Sequence, residues 1–148
     1  MSYVLVDSSI VIPWLKNDSS LGVRMLDTIL LEQQDPKAPK AAIPVWAKAE
    51  CLSGASDWAA TKQALDVFLE AAPPIRDWIS FYTDAAKIGH DARKRENRTI
   101  ESAVDLFIAQ LALKLRAPLL HNDLDFESIK LVRRNLRTLT PDFRHNPR

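Results

Sequence analysis

Residues 101–123 read ESAVDLFIAQLALKLRAPLLHND, and this stretch decides the fold. It opens with the clearest helix of the chain, rich in the strong helix formers leucine and alanine. Pro118 cannot donate the backbone hydrogen bond that would carry the helix on, so it marks the end. Leu119 and Leu120 follow as a short apolar run of the kind buried in a parallel sheet. Asp123 comes directly after that run, and Asp125 lies two residues further on.

Working outward, helices and strands alternate along the whole chain. Tyr3 to Val6 is a short apolar strand, and Ser8 or Ser9 offers an N-cap for IVIPWLKN. Pro13 is awkward inside that helix unless it falls in the first turn. Leu21 to Gln34 carries Val23, Leu26 and Leu30 at helical spacing before the Pro-broken loop DPKAPK. AAIP reads as a very short strand, and VWAKAECLSGA as a helix ending near Gly54. Ser56 is placed as the cap of DWAATKQALDVFLEAA, which Pro73 and Pro74 stop. IRDWI is expected as a third strand, followed by a helix from about Phe81 to Glu96. LRTLTP is expected as a closing edge strand. This alternation predicts an α/β sandwich around a mainly parallel sheet, in one domain over residues 1–148.

Composition narrows the functional classes. The chain has 148 residues, 47% hydrophobic and 26% charged, the mix of a globular domain with a real core. No apolar stretch approaches the roughly 20 residues of a membrane span, and MSYVLVDSS has no basic region or cleavage site of a signal peptide. Cys51 is the single cysteine, so neither an intrachain disulfide nor a multi-cysteine zinc site is available. A reducing cytoplasm fits best. A formal net charge of +1 excludes no class of partner.

The acids carry more information. Asp7 follows the first strand and Asp123 follows PLLH, and ligands of open parallel sheets bind beyond the carboxyl ends of the strands. Asp105 shares the apolar stripe of Ile108 and Ala112, where an unpaired charge is costly. Glu50 stands one turn after Trp46 on a helix otherwise lined with small and apolar residues. Four acids from four elements thus point at one pocket. An all-oxygen set suits Mg2+ or Mn2+, whereas His90, His121 and His145 are too scattered to compete. Such an ion activates water and stabilises charge on a phosphodiester oxygen. The plainer alternatives stay open: Asp7 as a helix cap, Glu50 as a solvated helix residue, Asp105 as a favourable charge at a helix start, and Asp123 and Asp125 as an Asx turn.

Four stretches, in order, resemble the PIN-domain nucleases, of the small free-standing type found as VapC-like toxins in toxin–antitoxin pairs. YVLVDSSIVIPWL resembles the opening strand with its Asp and following hydroxyls. VWAKAECLSG resembles the helix bearing the Glu. SAVDLFIAQLALKLRAPLLHNDLDF resembles the long signature ending in Asp-x-Asp-Phe, and LRTLTP the closing strand. The resemblance implies a three-layer α/β/α sandwich and an endoribonuclease that needs Mg2+ or Mn2+. It places Asp7, Glu50, Asp105 and Asp123 as the acidic quartet, with Asp7, Asp105 and Asp123 on the metal. Ser9 becomes the supporting hydroxyl and Asp125 an accessory acid. It also implies an RNA substrate, a small cognate antitoxin and a homodimer. His121 stands where the family has Thr or Ser, and it is expected to hydrogen-bond Asp123 or a water on the metal. The same departure motivates an alternative, a PIN-like fold that binds RNA or protein without cleaving.

Basic runs fit a nucleic-acid substrate. HDARKRENR (90–98) and VRRNLR (132–137) concentrate positive charge, and Arg144 and Arg148 add to it. Such patches suit a phosphate backbone, and a solvated helix end is the alternative for Arg93 to Arg98. The Trp residues at 14, 46, 58 and 78 are read as core or interface anchors, and Cys51 as a small core residue. Neither a phosphate-receiving signalling domain nor an Asp-nucleophile phosphatase fits, because Asp7 is followed by two serines rather than a second acid.

Overall fold

The computed structural model describes residues 2–141. Arg144, His145 and Arg148 lie outside the described residues. Five strands form one sheet: β1 (Tyr3–Val6), β2 (Lys40–Ile43), β3 (Glu70–Ala71), β4 (Leu119–Leu120) and β5 (Thr138–Leu139). Their order is β3-β2-β1-β4-β5, and every pairing is parallel. Seven helices connect and cover them: α1 (Ser8–Leu15), α2 (Leu21–Glu32), α3 (Val45–Ser53), α4 (Trp58–Phe68), α5 (Trp78–Glu96), α6 (Ala103–Leu115) and α7 (Leu124–Lys130). α1 to α4 pack among themselves, as do α5 to α7. Right-handed crossovers put these two groups on opposite faces of the sheet. The result is the expected α/β/α sandwich.

Burial on both faces explains why the strands are almost wholly apolar. Val4, Leu5, Val6, Ala41, Ala42, Leu119 and Leu120 are all buried, as a covered parallel sheet requires. β1 is central, with β2 on one side and β4 on the other. The chain leaves β1 in one direction and returns to its other flank through β4, so a crevice opens between the carboxyl ends of these two strands. Asp7 and Asp123 stand at that crevice.

Several local expectations change. IRDWI is not a strand: Asp77 caps α5, its carboxylate accepting the Ser80 N–H at 3.2 Å, so the helix starts at Trp78. The third strand is Glu70–Ala71 instead, immediately after α4, which stops at Phe68 well before the two prolines. Asp57 rather than Ser56 caps α4, accepting from the Ala60 N–H at 3.0 Å. Asp7, not a serine, caps α1. Pro13 lies beyond the first turn of α1, where it removes one i to i−4 donor from a helix of only eight residues. Trp14 and Trp46 are half-buried anchors, whereas Trp58 and Trp78 are 55% and 61% exposed. Cys51 is buried, and burial pushes its thiol up to about 11, as suits a core residue.

Behind the crevice, Asp91 ties α5 to the segment after α7. Its carboxylate is buried beside Lys87 at 2.7 Å, Arg133 at 3.0 Å and Arg95 at 3.7 Å. Lys87 foremost, then Arg133 and Arg95, hold it down at about 2. Because the folded pKa is depressed, the stabilisation is present above the ordinary value of 3.8 and is lost as pH falls through about 2. Asp91→Asn is expected to melt at a lower temperature than wild type at pH 7, with the gap closing between about pH 4 and 2. A gap that is the same at pH 7 and pH 2 would show that the charge contributes nothing.

Candidate active site

Asp7 is positioned by the chain reversal out of β1. Its N–H donates to the Leu120 carbonyl at 3.0 Å, extending the β1–β4 ladder by one residue. Its Oδ2 accepts the Ser9 N–H at 3.0 Å and the Ser9 hydroxyl at 2.6 Å. The Ser9 oxygen in turn accepts the Asn122 N–H at 2.9 Å. One hydroxyl thus pins the ends of β1 and β4 together and orients the Asp7 carboxylate between them. A substitution to alanine would leave both groups without this partner.

Asp123 caps α7, its Oδ1 accepting the Asp125 N–H at 2.9 Å. Asp125 reaches across to accept the Glu101 N–H at 3.2 Å, which ties α7 to the start of α6. Asp105 sits in the first turn of α6 and is buried. Asp105, Asp123 and Asp125 bring one oxygen each to within 4.8 Å of the others. Glu50 arrives from α3, where Ser8 donates to its Oε1 at 3.2 Å. An aromatic cluster sets α3 against α5 and α6. Trp46 stacks on Phe81 at 5.8 Å and leans on Phe107 at 5.6 Å, one turn before Glu50.

The electrostatics show what this assembly lacks. Burial raises Asp105, the charges of Asp123, Asp7 and Asp125 add to it, and together they push it to about 8. Its place in the first turn of α6 favours the charged form by only about 0.3–1 kcal/mol, so burial and repulsion win. Burial also raises Asp7, which Ser9 partly offsets, and it raises Glu50 and Asp125, with neighbouring carboxylates adding to both. Among the described residues, none of these five acids forms an ion pair with Lys or Arg. Clustered carboxylates without a compensating cation hold protons instead. The donors are all hard oxygens, which is the set that Mg2+ or Mn2+ takes and softer metals do not favour.

The structure brings together more than the expected quartet. Asp125, read as an accessory acid, stands with Asp105 and Asp123 in the closest group, whereas Asp7 lies outside that triple and interacts with it through charge. Two carboxylates in Asp-x-Asp at the start of a helix are the signal for this, since the first caps the helix while the second remains within its opening turn. His121 does hydrogen-bond Asp123, through the backbone. It is fully buried, and Nδ1 accepts the backbone N–H of Asp123 at 3.0 Å rather than bonding its carboxylate. Nε2 meets Glu127 Oε2 at 3.0 Å, and the ring packs on Phe126 at 4.8 Å. An accepting Nδ1 carries no proton, so Nε2 is the donor to Glu127. The imidazole therefore braces the turn that presents Asp123. His121→Thr should cost roughly 2–4 kcal/mol of stability by opening a cavity and removing the Glu127 hydrogen bond. Nucleic-acid hydrolysis at saturating metal should persist, within about tenfold of wild type. A variant that folds with wild-type stability yet has no activity would move His121 into the chemistry.

The basic runs divide. Arg93, Lys94 and Arg95 occupy the last turn of α5, beside the loop that leads to Glu101 and the acids. Arg133 and Arg137 instead lie between α7 and β5, with Arg133 on the same Asp91 oxygen that Arg95 approaches. Arg133 is committed to Asp91, and Arg137 donates to the Arg116 carbonyl. Their sequence neighbourhood suggests a phosphate contact, but their hydrogen bonds are structural.

A family model described as the PIN domain matches residues 4–131, from β1 to just past α7, and so takes in all five acids. Members of that family are generally nucleases, which makes hydrolysis of nucleic acid the supported reaction class. The acid cluster is compatible with the divalent metal such nucleases typically use. With most of its length covered by this match, the chain belongs to the PIN domain family.

Proposed function

We propose that the protein is an endoribonuclease dependent on Mg2+ or Mn2+ and the toxin of a toxin–antitoxin pair. The observation that carries the metal dependence is the convergence of Asp7, Glu50, Asp105, Asp123 and Asp125 on one crevice with no Lys or Arg among the described residues paired to them. Asp7, Asp105 and Asp123 hold the ion, and Asp125 completes the oxygen set. A bound divalent ion supplies water activation and stabilises charge developing on the phosphodiester. Glu50 stands at the solvent-open side of the cluster and takes a proton from the attacking water. Its raised pKa makes it a stronger base than an ordinary glutamate. Ser9 keeps Asp7 aimed, and Ser8 keeps Glu50 aimed. Arg93 and Lys94, in the last turn of α5 one short loop before Glu101, support a contact with an RNA backbone.

Hydrolysis by activated water leaves 5′-phosphate and 3′-hydroxyl ends. Total RNA treated with purified protein and Mg2+ should give such ends, as read by ligation-dependent sequencing. Intact RNA across both metals, or cyclic phosphate ends, would reject the reading. The binding-only alternative drew on His121, whose ring is buried behind Asp123 and leaves the acid crevice open.

A small cognate antitoxin, a homodimeric state and a cytoplasmic setting are parts of the same proposal. An open apolar groove of about 900 Å³ between α1, α2 and α4 supports a protein partner, since Leu31, Val67 and Phe68 on its walls are 75%, 67% and 49% exposed. No helix among the described residues is long and apolar enough to cross a membrane.

A further inference from the structure

A smaller recess of about 320 Å³ opens between α1 and the corner joining α3 to α4. Ile12, Leu15 and Ala55 give its lining an apolar part, Thr61 supplies a hydroxyl, and Lys16 a cation. Glu50 also lines it, the same residue that Ser8 holds at the acid crevice. The recess and the crevice are therefore contiguous. Along α1, Ile12 lies about 6 Å beyond Ser8 and Lys16 about 12 Å beyond it. Among the described residues the Lys16 ammonium is paired with no carboxylate.

This combination has a chemical reading. The volume is at the low end for small-molecule sites, which suits a single flat ring system rather than a side-chain cluster or a helix. An apolar lining accepts the face of a nucleobase, a hydroxyl in it can meet a base edge, and an unpaired cation suits a phosphate. We propose that the recess seats the nucleotide adjoining the scissile phosphate. Its base lies against Ile12, Leu15 and Ala55, and its outer phosphate meets Lys16. The recess then determines which base flanks the cut. This rests on the nuclease reading above, and it adds the residues that confer specificity.

The test digests random-sequence single-stranded RNA with wild type, Ala55→Phe and Lys16→Ala, sequencing the cut ends and measuring KM and kcat. Wild type should show a base bias at one position next to the cut. Ala55→Phe fills the recess, so the bias should flatten and KM should rise about tenfold. Lys16→Ala should raise KM about three- to tenfold and reduce the salt dependence of binding by about 0.7 in the log–log slope, the loss of one phosphate contact on a single strand. Ala55→Phe with wild-type bias and KM overturns the assignment. Melting curves check that each variant folds, and Thr61→Val replaces Ala55→Phe if that protein does not. If wild type leaves all RNA intact, the nuclease reading falls, and the recess is judged by binding alone. Adenosine and uridine 5′-monophosphates are then added to the labelled protein. Amide shifts centred on Lys16 and Gly54 to Thr61 sustain the site, and their absence overturns it.

Discussion

Asp105→Asn is expected to lower RNA cleavage by about 10³-fold or more, about 4 kcal/mol of barrier, while making the metal-free protein more stable. Asp105 is 6% exposed and faces three other carboxylates. In the absence of a cation, burial and that repulsion raise its pKa from 3.8 to about 8. The folded chain therefore keeps a proton that the unfolded chain has released across that window. The contribution of Asp105 to the stability of the metal-free wild type should be full below about pH 4, fall as pH rises through 8, and level off above it. Asparagine removes the titration, so the variant should gain on the order of 1–3 kcal/mol at pH 8 and show a flatter pH dependence. Mg2+ should reverse the ranking, since it stabilises wild type in proportion to its occupancy and the variant much less. Thermal melts at pH 5 and pH 8, with EDTA or Mg2+, read all of this. A variant that melts below wild type at pH 8 in EDTA would mean that the carboxylate stabilises the fold, and the metal assignment would lose its physical basis.

Glu50→Gln should separate chemistry from metal binding. Glu50 is the most exposed of the five clustered acids and approaches from α3 rather than from the β1–β4 crevice. Burial first, then the charges of Asp7 and Asp123, raise its pKa, and the Ser8 hydroxyl opposes the shift. A general base so placed is worth about 10²–10⁴ in rate. The amide keeps the shape and can still meet Ser8, so kcat should fall about 10²-fold while the melting shift produced by Mg2+ stays close to that of wild type. In wild type the rate should rise with pH through the raised Glu50 value, and Glu50→Gln should lose that limb. If instead the variant keeps its rate but loses its response to Mg2+, Glu50 is a ligand and the base lies elsewhere.

The sequence by itself determined the main elements and the location of the acids. Val104 to Leu115, Pro118 and the Leu119–Leu120 pair specify α6 and β4 through local chemistry: helical spacing, a missing donor and an uninterrupted apolar pair. The placement of Asp7 and Asp123 at strand ends follows from the same local reading, because a carboxylate just past a buried parallel strand emerges at the carboxyl end of the sheet. Other features depended on the tertiary structure. β3 is two residues long, too short for any periodicity, and it exists because Ala42 and Ile43 of β2 offer an open edge to Glu70 and Ala71. IRDWI has the composition of a strand, but the Asp77 carboxylate captures the Ser80 N–H and commits that segment to a helix. The partners of His121 were illegible for the same reason, since Glu127 and the Asp123 N–H meet it only once α7 folds back beside β4. Which three acids stand closest is likewise a matter of packing. Asp105 comes from α6 and its partners from the turn into α7, and the distance between them is set by how those helices pack on one face of the sheet.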